Sequence, residues 1–475
     1  MVFTIYSLLD KKMMNKRSFP ALYEQIINIL KPYQAYLVGG AVRDLFLEAS
    51  IHDLDFALPG DTIPVAKLVA DQLGGAFFVL DHERETARVI LKDENSQKMM
   101  VDFTRFQGND IEDDLGSRDF TVTSMALGTG SDEKVIDPYH GVQDLKDGLL
   151  RATSEHSLAD DPLRCLRAVR LAAQFGLRIL PETKDQIRKN AKGIAGVSPE
   201  RIRDELFRIL DGPKQAAAFQ AQEILGLSPF VFLGEISQEQ IKHIAFLENL
   251  WGLFLKDHNQ DSAANWSLGL LIYRLGRYRN DIRSYLKYEP VLGRTIYQLS
   301  FIPFLLDGGI KEGKNNGWTE TLPLSNQEWE ILNKSRQAAE DILLSIRSED
   351  PPRPLDIFRY YRQHKSAGIL GVFLALVVSS SKYENKSHQE GWTSTLDVCR
   401  SFLEGWWEKK DELVSPPILL DGDDIQSEFS ISPGPRIGML LRSLREAQVE
   451  RGISSREEAI QFLNDLVKNE NGKIE

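Results

Sequence analysis

Two aspartates stand two residues apart in the short apolar segment IHDLDFAL (51–58): Asp53 and Asp55. In an extended strand, positions i and i+2 project from one face, so both carboxylates leave the same side of a sheet. Like charges placed side by side repel unless a cation lies between them, and hard oxygen donors of this kind suit Mg²⁺. A two-ion clamp can activate an attacking hydroxyl while neutralising a departing pyrophosphate. The plainer alternative is a polar strand face with its carboxylates in water. Just before this segment, LVGGAVRD (37–44) reads as a strand, a glycine pair and a helix start. Gly39 and Gly40 let the backbone approach an anion closely, the helix N-terminus favours negative charge, and Arg43 one turn on can grip a phosphate bidentately. Here the plainer alternative is a tight strand-to-helix turn. The segment is not GxGxxG and lacks the Lys-Ser/Thr of a P-loop, which sets aside a nicotinamide-dependent oxidoreductase.

The elements that must position these groups crowd the first third of the chain. AYLVGG, DLDFAL, AFFVLD, ARVILKD, MMVDFTRF and KVIDP are short, rich in β-branched or aromatic residues and bounded by Gly, Asp or Pro, so they predict strands. AVRDLFLE, TIPVAKLVADQL and FTVTSMAL have helical spacing. After Arg151 helical patterns take over. DPLRCLRAVRLAAQF has Pro162 in its first turn, apolar residues at 163, 166, 169, 172 and 173, and Gly176 just beyond its end. SPERIRDELFRIL repeats the design, with Ser198 as N-cap and Pro199 at the first helical position. The longest apolar run, 367–378, is shorter than the roughly 20 residues a membrane helix needs and predicts a buried core helix. Breaks are expected at 307–316, 349–354 and 379–391, where polar and turn-forming residues cluster.

Composition narrows the function. A chain of 475 residues with 42% hydrophobic and 27% charged residues is expected to fold as a soluble globular protein of about three domains. Cys165 and Cys399 are the only cysteines, without CxxC or Cys/His grouping, so neither a disulfide framework nor a structural zinc site is supported and a reducing cytoplasm fits. The first residues carry their basic groups after a short apolar stretch, the wrong order for a secretory signal. The 57 basic and 69 acidic residues leave a net charge of -12, so any RNA site must be a local stripe of Lys and Arg.

GGAVRD followed by DLD resembles the opening of the nucleotidyltransferase superfamily related to DNA polymerase β. Five further segments are similar to the class II tRNA nucleotidyltransferase and bacterial poly(A) polymerase family: EDDLGSRDFTVTSMAL, IDPYHGVQDLKDGLLR, DDPLRCLRAVRLAAQFGL, SPERIRDEL and PGPRIGMLLRSLREAQVERGISSREEA. The match is specific over about 20–212 and weak over about 213–415. The resemblance implies an α+β fold: a polymerase-β-like head with a mixed sheet (20–151), a helical neck that recognises the nucleotide base (152–212), a helical RNA-binding body (213–415) and a helical tail (416–475). It assigns Asp53 and Asp55 to Mg²⁺ and catalysis, Gly39, Gly40 and Arg43 to the triphosphate, and Arg118 and Asp119 to the sugar and phosphates. Ser117 stands where many relatives have Arg, and Thr123 where they have Asn, which puts the contacts of those groups in question.

Asp161 and Arg164 are three apart on the predicted helix and so neighbours on its surface. Cytosine and adenine both present an exocyclic amine beside an acceptor ring nitrogen, which a carboxylate and a guanidinium can read together, whereas uracil and guanine present a carbonyl and an N–H. Helix capping by Asp161 and a surface ion pair for Arg164 are the simpler alternative. Arg167 and Arg170 continue at spacing three, toward triphosphate or RNA phosphates, or toward solvent. Asp102 is a secondary candidate as third metal ligand, competing with a bond to its own backbone. ERETAR (83–88) flanks the site or forms a solvated charge cluster. The path from Phe103 to Glu112 is short where many CCA-adding relatives carry a long loop, and no HD-type metal cluster appears downstream.

The expected activity is template-independent addition of CMP and/or AMP from CTP or ATP to the 3′ end of tRNA, for the whole CCA end or only its CC or A step. A poly(A) polymerase acting on other RNA ends is the enzymatic alternative, and an RNA-binding protein on an inactive transferase scaffold the non-enzymatic one. The expected partners are tRNA and CTP or ATP, with no membrane. The oligomeric state stays open.

Overall fold

The computed structural model describes residues 19, 22–51, 53–92, 98–129, 134–232, 234–255, 266–306, 322–348, 350–382 and 389–471. Residues 1–18, with the expected absence of a secretory signal, and the expected break at 307–316 lie outside them. The chain divides into two compact units, one drawn from Met1–Pro213 with Gln220–Val231, the other from Lys214–Phe219 with Phe232–Glu475.

The first unit holds a seven-stranded mixed sheet of order β3-β4-β5-β2-β1-β6-β7. Its strands are β1 (Tyr36–Val38), β2 (Asp53–Leu58), β3 (Ala76–Asp81), β4 (Thr86–Lys92), β5 (Lys98–Arg105), β6 (Ala126–Gly128) and β7 (Val135–Ile136). Only β2 and β5 run parallel within the sheet, in the register Asp55↔Asp102. β1 pairs antiparallel with β2, placing Val38 beside Asp55. One face of β2 sends Leu54, Phe56 and Leu58 into the interior. On the opposite face Ala57 joins Val38, Phe106, Ile111, Leu115 and Ala126 in a second apolar cluster. The two aspartates project from that second face, beyond the edge of its cluster, as alternation along a strand requires.

The helices of this unit include α1 (Tyr23–Leu30), α2 (Gly40–Phe46), α3 (Thr62–Leu73), α4 (Ile111–Gly116), α5 (Gly141–Lys146), α6 (Ser157–Asp160), α7 (Arg164–Phe175), α8 (Pro181–Asn190) and α9 (Pro199–Asp211). α7 ends at Gly176 with φ 67°, the left-handed cap that its sequence predicts. A short parallel pair, β8 (Leu149–Leu150) with β9 (Arg178–Ile179), joins the end of the head to the segment after α7.

One expected helix is absent. FTVTSMAL makes a single 3-10 turn, Thr121–Thr123, and then enters β6, which pairs with the edge of β1. Its hydroxyls are buried and two of them find partners far away in sequence, Thr121 donating to Asp144 at 2.7 Å and Ser124 lying 2.9 Å from the Thr153 hydroxyl, while Thr123 donates to Asp119 at 2.6 Å. Such side-chain bonds compete with the helical ladder.

The second unit is helical. Ala367–Ser380 is buried almost throughout, as its continuous apolar sequence predicts. It packs closely on Asn326–Arg347, where a Cβ at Gly371 would lie 2.4 Å from the Ala338 Cβ. Of the expected breaks at 349–354 and 379–391, residues 350–353 and 381–382 lie between helices, whereas Pro354 begins one helix, 379–380 end another and 389–391 open a third; residues 349 and 383–388 are outside the described ones. The helices Gly422–Phe429, Pro435–Arg451 and Arg456–Asn471 share a core of their own around Leu440, Leu444 and Leu463. Among the described residues, no helix is long and apolar enough to cross a membrane.

Candidate active site

The turn between β1 and α2 is built around Gly39, whose φ of 71° and ψ of -132° belong to a region that only glycine occupies comfortably. A Cβ there would lie 3.1 Å from Arg118 Nη1 and 3.6 Å from Asp55 Oδ2. The glycine turn, the second aspartate and Arg118 therefore meet at one point. Asp53 is exposed at the start of β2, and Asp55 is partly buried two residues on, along the same face.

A cleft of about 320 Å³ opens at this point, lined by Gly39, Gly40, Arg43, Asp55, Arg118, Asp119, Thr123, Asp161, Arg164, Arg167 and Arg170. Every site residue expected from the sequence lines it except Asp53 and the secondary candidate Asp102. A larger cleft of about 1330 Å³ shares Asp161 and Arg164 with it and continues past Glu83, Arg84, Arg105 and Arg201. Glu83 and Arg84 thus flank the site, while Arg88 of the same ERETAR segment turns to the sheet.

The charges are held in a network. Burial, with the carboxylates of Asp102 and Asp53 nearby, pushes the Asp55 carboxyl up to about 6, against the pull of Arg118. A carboxyl so crowded by negative charge is one that a divalent cation returns to its ionised form. Asp53 and Asp55, hard oxygen donors on one face, fit such an ion. Asp102 is not bonded to its own backbone: it sits mid-strand, and both of its oxygens accept from Arg88, at 2.8 Å each. The cross-strand register Arg88↔Asp102 makes that fork possible. Among the described residues, no group of three or more His, Cys, Asp or Glu is arranged to hold a metal ion.

Arg118 donates through Nε and Nη2 to Asp114, at 3.1 and 2.8 Å, and Asp114 also accepts from the Gln107 backbone, fixing the short 106–110 loop. Asp119 is buried. Burial alone would raise its carboxyl, but Arg167, the Thr123 hydroxyl and Arg164 hold it below the ordinary range. Arg167 Nε lies 2.9 Å from Asp119 Oδ2, an ion pair without hydrogen-bond alignment. Thr123, standing where relatives carry Asn, thus serves Asp119 directly.

Arg43 is buried, grips Asp44 through Nε and Nη2 at 2.8 and 2.7 Å, and stacks its guanidinium 4.1 Å over the Phe175 ring. It ties α2 to the last turn of α7 while still lining the cleft. Arg170 also lines the cleft and pairs at 2.6 Å with Glu205 of α9.

Asp161 and Arg164 are not on one helix. α7 begins at Arg164, and Asp161 is extended, with φ -143° and ψ 97°. A residue before proline is driven out of the α region, and Asp161 precedes Pro162. A turn still brings the two together, the Arg164 N–H donating to the Asp161 carbonyl at 3.0 Å. Arg164 then donates from Nη1 to the Ser157 carbonyl at 2.9 Å and from Nη2 to the Ser117 carbonyl at 3.0 Å. Two residues here had no role on sequence grounds. Glu205 lies among Ile202, Leu206 and Ile209 on the buried stripe of α9, a position that itself signals a paired internal charge. Arg201 reaches Asp161 Oδ2 at 2.7 Å across 40 residues of sequence, and no local pattern announces it.

Residues 35–151 match the model of the poly A polymerase head domain, and residues 176–234 the model of a probable RNA and SrmB-binding site of polymerase A. A CC-adding tRNA nucleotidyltransferase of Geobacter sulfurreducens is 29% identical over 442 residues, covering 91% of each chain. Over most of its length the chain is similar to the class II tRNA nucleotidyltransferase and poly(A) polymerase family. An A-adding tRNA nucleotidyltransferase of Deinococcus radiodurans is also 29% identical, over 91% of this chain and 95% of that one. In fold, the chain is similar to a Thermotoga maritima CCA-adding enzyme complexed with tRNA, with a TM-score of 0.63, 18% identity and coverage of 96% of this chain and 98% of that one. Nucleotidyltransferases of the polymerase-β type generally use a divalent metal.

Proposed function

We propose that this chain adds CMP and/or AMP from CTP or ATP to the 3′ end of tRNA, releasing pyrophosphate. The observation that carries this reading is the single cleft in which the Asp55 carboxylate, the Gly39 turn and the Asp161–Arg164 pair face common space. Asp53 and Asp55 hold Mg²⁺, which when bound lowers the pKa of the attacking hydroxyl and neutralises charge on the leaving pyrophosphate. Gly39 and Gly40, at the N-terminus of α2, present backbone N–H groups to the triphosphate. Arg118, Arg167 and Arg170 add positive charge along the same wall, and Arg43 fixes α2 against α7. Asp119, kept ionised by its three donors and cations, holds Arg167 and the sugar end of the cleft. Arg164, oriented by two carbonyls, donates to the ring nitrogen of cytosine or adenine, and Asp161 accepts from the exocyclic amine. Phosphoryl transfer of this type is mostly positioning and charge neutralisation, which these groups supply.

The helical second unit serves as the RNA-binding body and tail, reading phosphates and shape. Two buried thiols, Cys165 and Cys399, suit a reducing cytoplasm. Asp53→Asn and Asp55→Asn should each abolish incorporation of labelled nucleotide while tRNA binding, followed by filter retention, stays near that of the parent. Normal turnover by either variant sinks the metal assignment. Offering tRNAs that end before the tail, after C and after CC, each with one labelled nucleotide, identifies the product: addition of A only to the CC end marks an A-adding enzyme, of C only to the earlier ends a CC-adding one. Growth past the natural end marks a poly(A) polymerase.

A further inference from the structure

The base-reading carboxylate has its own holder. Asp161 Oδ1 accepts the Leu163 backbone N–H at 3.2 Å, a local bond at the long end of the ordinary range. Its other oxygen, Oδ2, accepts from Arg201 Nη2 at 2.7 Å. Arg201 sits in the first turn of α9, after the Ser198-Pro199 start, and α9 is locked onto α7 through the buried Glu205 and its 2.6 Å pair with Arg170. The guanidinium is therefore delivered from a fixed platform that also carries Arg164. Arg201 lines the larger cleft and is not among the residues lining the smaller one, whereas Asp161 lines both. It approaches Asp161 from the side that does not carry the glycine turn.

With the side chains of Arg201 and Asp161 53% and 25% exposed, the pair adds little to stability. Its effect is on what Asp161 can do. An ionised carboxylate only accepts hydrogen bonds, so it rewards the amine of cytosine or adenine and repels the carbonyl of uracil or guanine. A carboxyl that rotates away, or takes a proton, loses that discrimination. Resting on the base-reading role proposed above, we infer that Arg201 is a specificity-determining positioning residue, which holds Asp161 in the acceptor geometry that rejects carbonyl-bearing bases.

The test compares kcat/KM for the nucleotide the enzyme adds with kcat/KM for UTP and GTP, on tRNA lacking its terminal residues. Arg201→Gln should lower that ratio by about tenfold or more, the effect of one hydrogen bond to a charged group, and Arg201→Lys should retain part of it. A merely structural role would depress all four nucleotides alike; that result, or an unchanged ratio in a variant with parental thermal stability, overturns the inference. Asp161→Asn separates the two levels. If it too leaves the ratio unchanged, the base-reading assignment itself falls; if it collapses the ratio while Arg201→Gln does not, only the role of Arg201 is lost. In the double variant the ratio should match that of Asp161→Asn alone, and losses that multiply would place the action of Arg201 elsewhere and overturn the proposal.

Discussion

At the scale of single residues, the site depends on one backbone conformation. Gly39 adopts φ 71° and ψ -132°, and a side chain there would press on Arg118 Nη1 at 3.1 Å. Gly39→Ala therefore combines backbone strain of about 1–3 kcal/mol with a small displacement of Arg118, which faces the same cleft. Steady-state kinetics should show incorporation reduced by more than about tenfold, since small misplacements of catalytic groups are expensive, with tRNA binding nearly unchanged. Parental activity in this variant would mean that the turn is only a connection. At the same scale, Arg43 lines the cleft with its guanidinium beside Asp44 and over Phe175, where burial lowers its proton affinity.

At the scale of elements, helix contacts decide more than helix propensity. Ala367–Ser380 has apolar residues all round, and it reaches Asn326–Arg347 only because position 371 lacks a side chain. A methyl group there would meet the Ala338 Cβ at 2.4 Å and the backbone of Ala338 and Ala339 at 3.0 Å, so the helices must part. Gly371→Ala should destabilise the second unit by about 1–3 kcal/mol, seen as a lower calorimetric transition, whereas Gly269→Ala, where nothing stands within 4 Å, should change it by much less. Equal effects at both positions would contradict the close packing. In the first unit the 3-10 turn Thr121–Thr123 makes the converse point: a segment with helical spacing is recruited to β6 because buried hydroxyls and the edge of β1 supply better partners.

At the scale of the whole molecule, an acidic chain of net charge -12 must hold a polyanion through local groups. Affinity for tRNA should therefore weaken at least about tenfold between about 50 and about 200 mM salt, as counterions released by phosphate contacts are taken up again. A flat salt dependence in a filter-binding titration would exclude phosphate-led binding. The sequence by itself determined six of the seven strands of the sheet and the same-face aspartates, because side-chain alternation and glycine turns are local consequences of the backbone. It also carried the motifs of the family. It could not determine where β6 would pair, that Asp161 would leave the helix of Arg164, or that Arg88 would take both oxygens of Asp102. Nor could it show that Arg201 would reach back 40 residues to hold a carboxylate. Those outcomes depend on which buried donors and acceptors meet once the chain has closed, and only the tertiary structure decides that, because an unpaired polar group in the interior is too costly to leave and its partner need not be near in sequence.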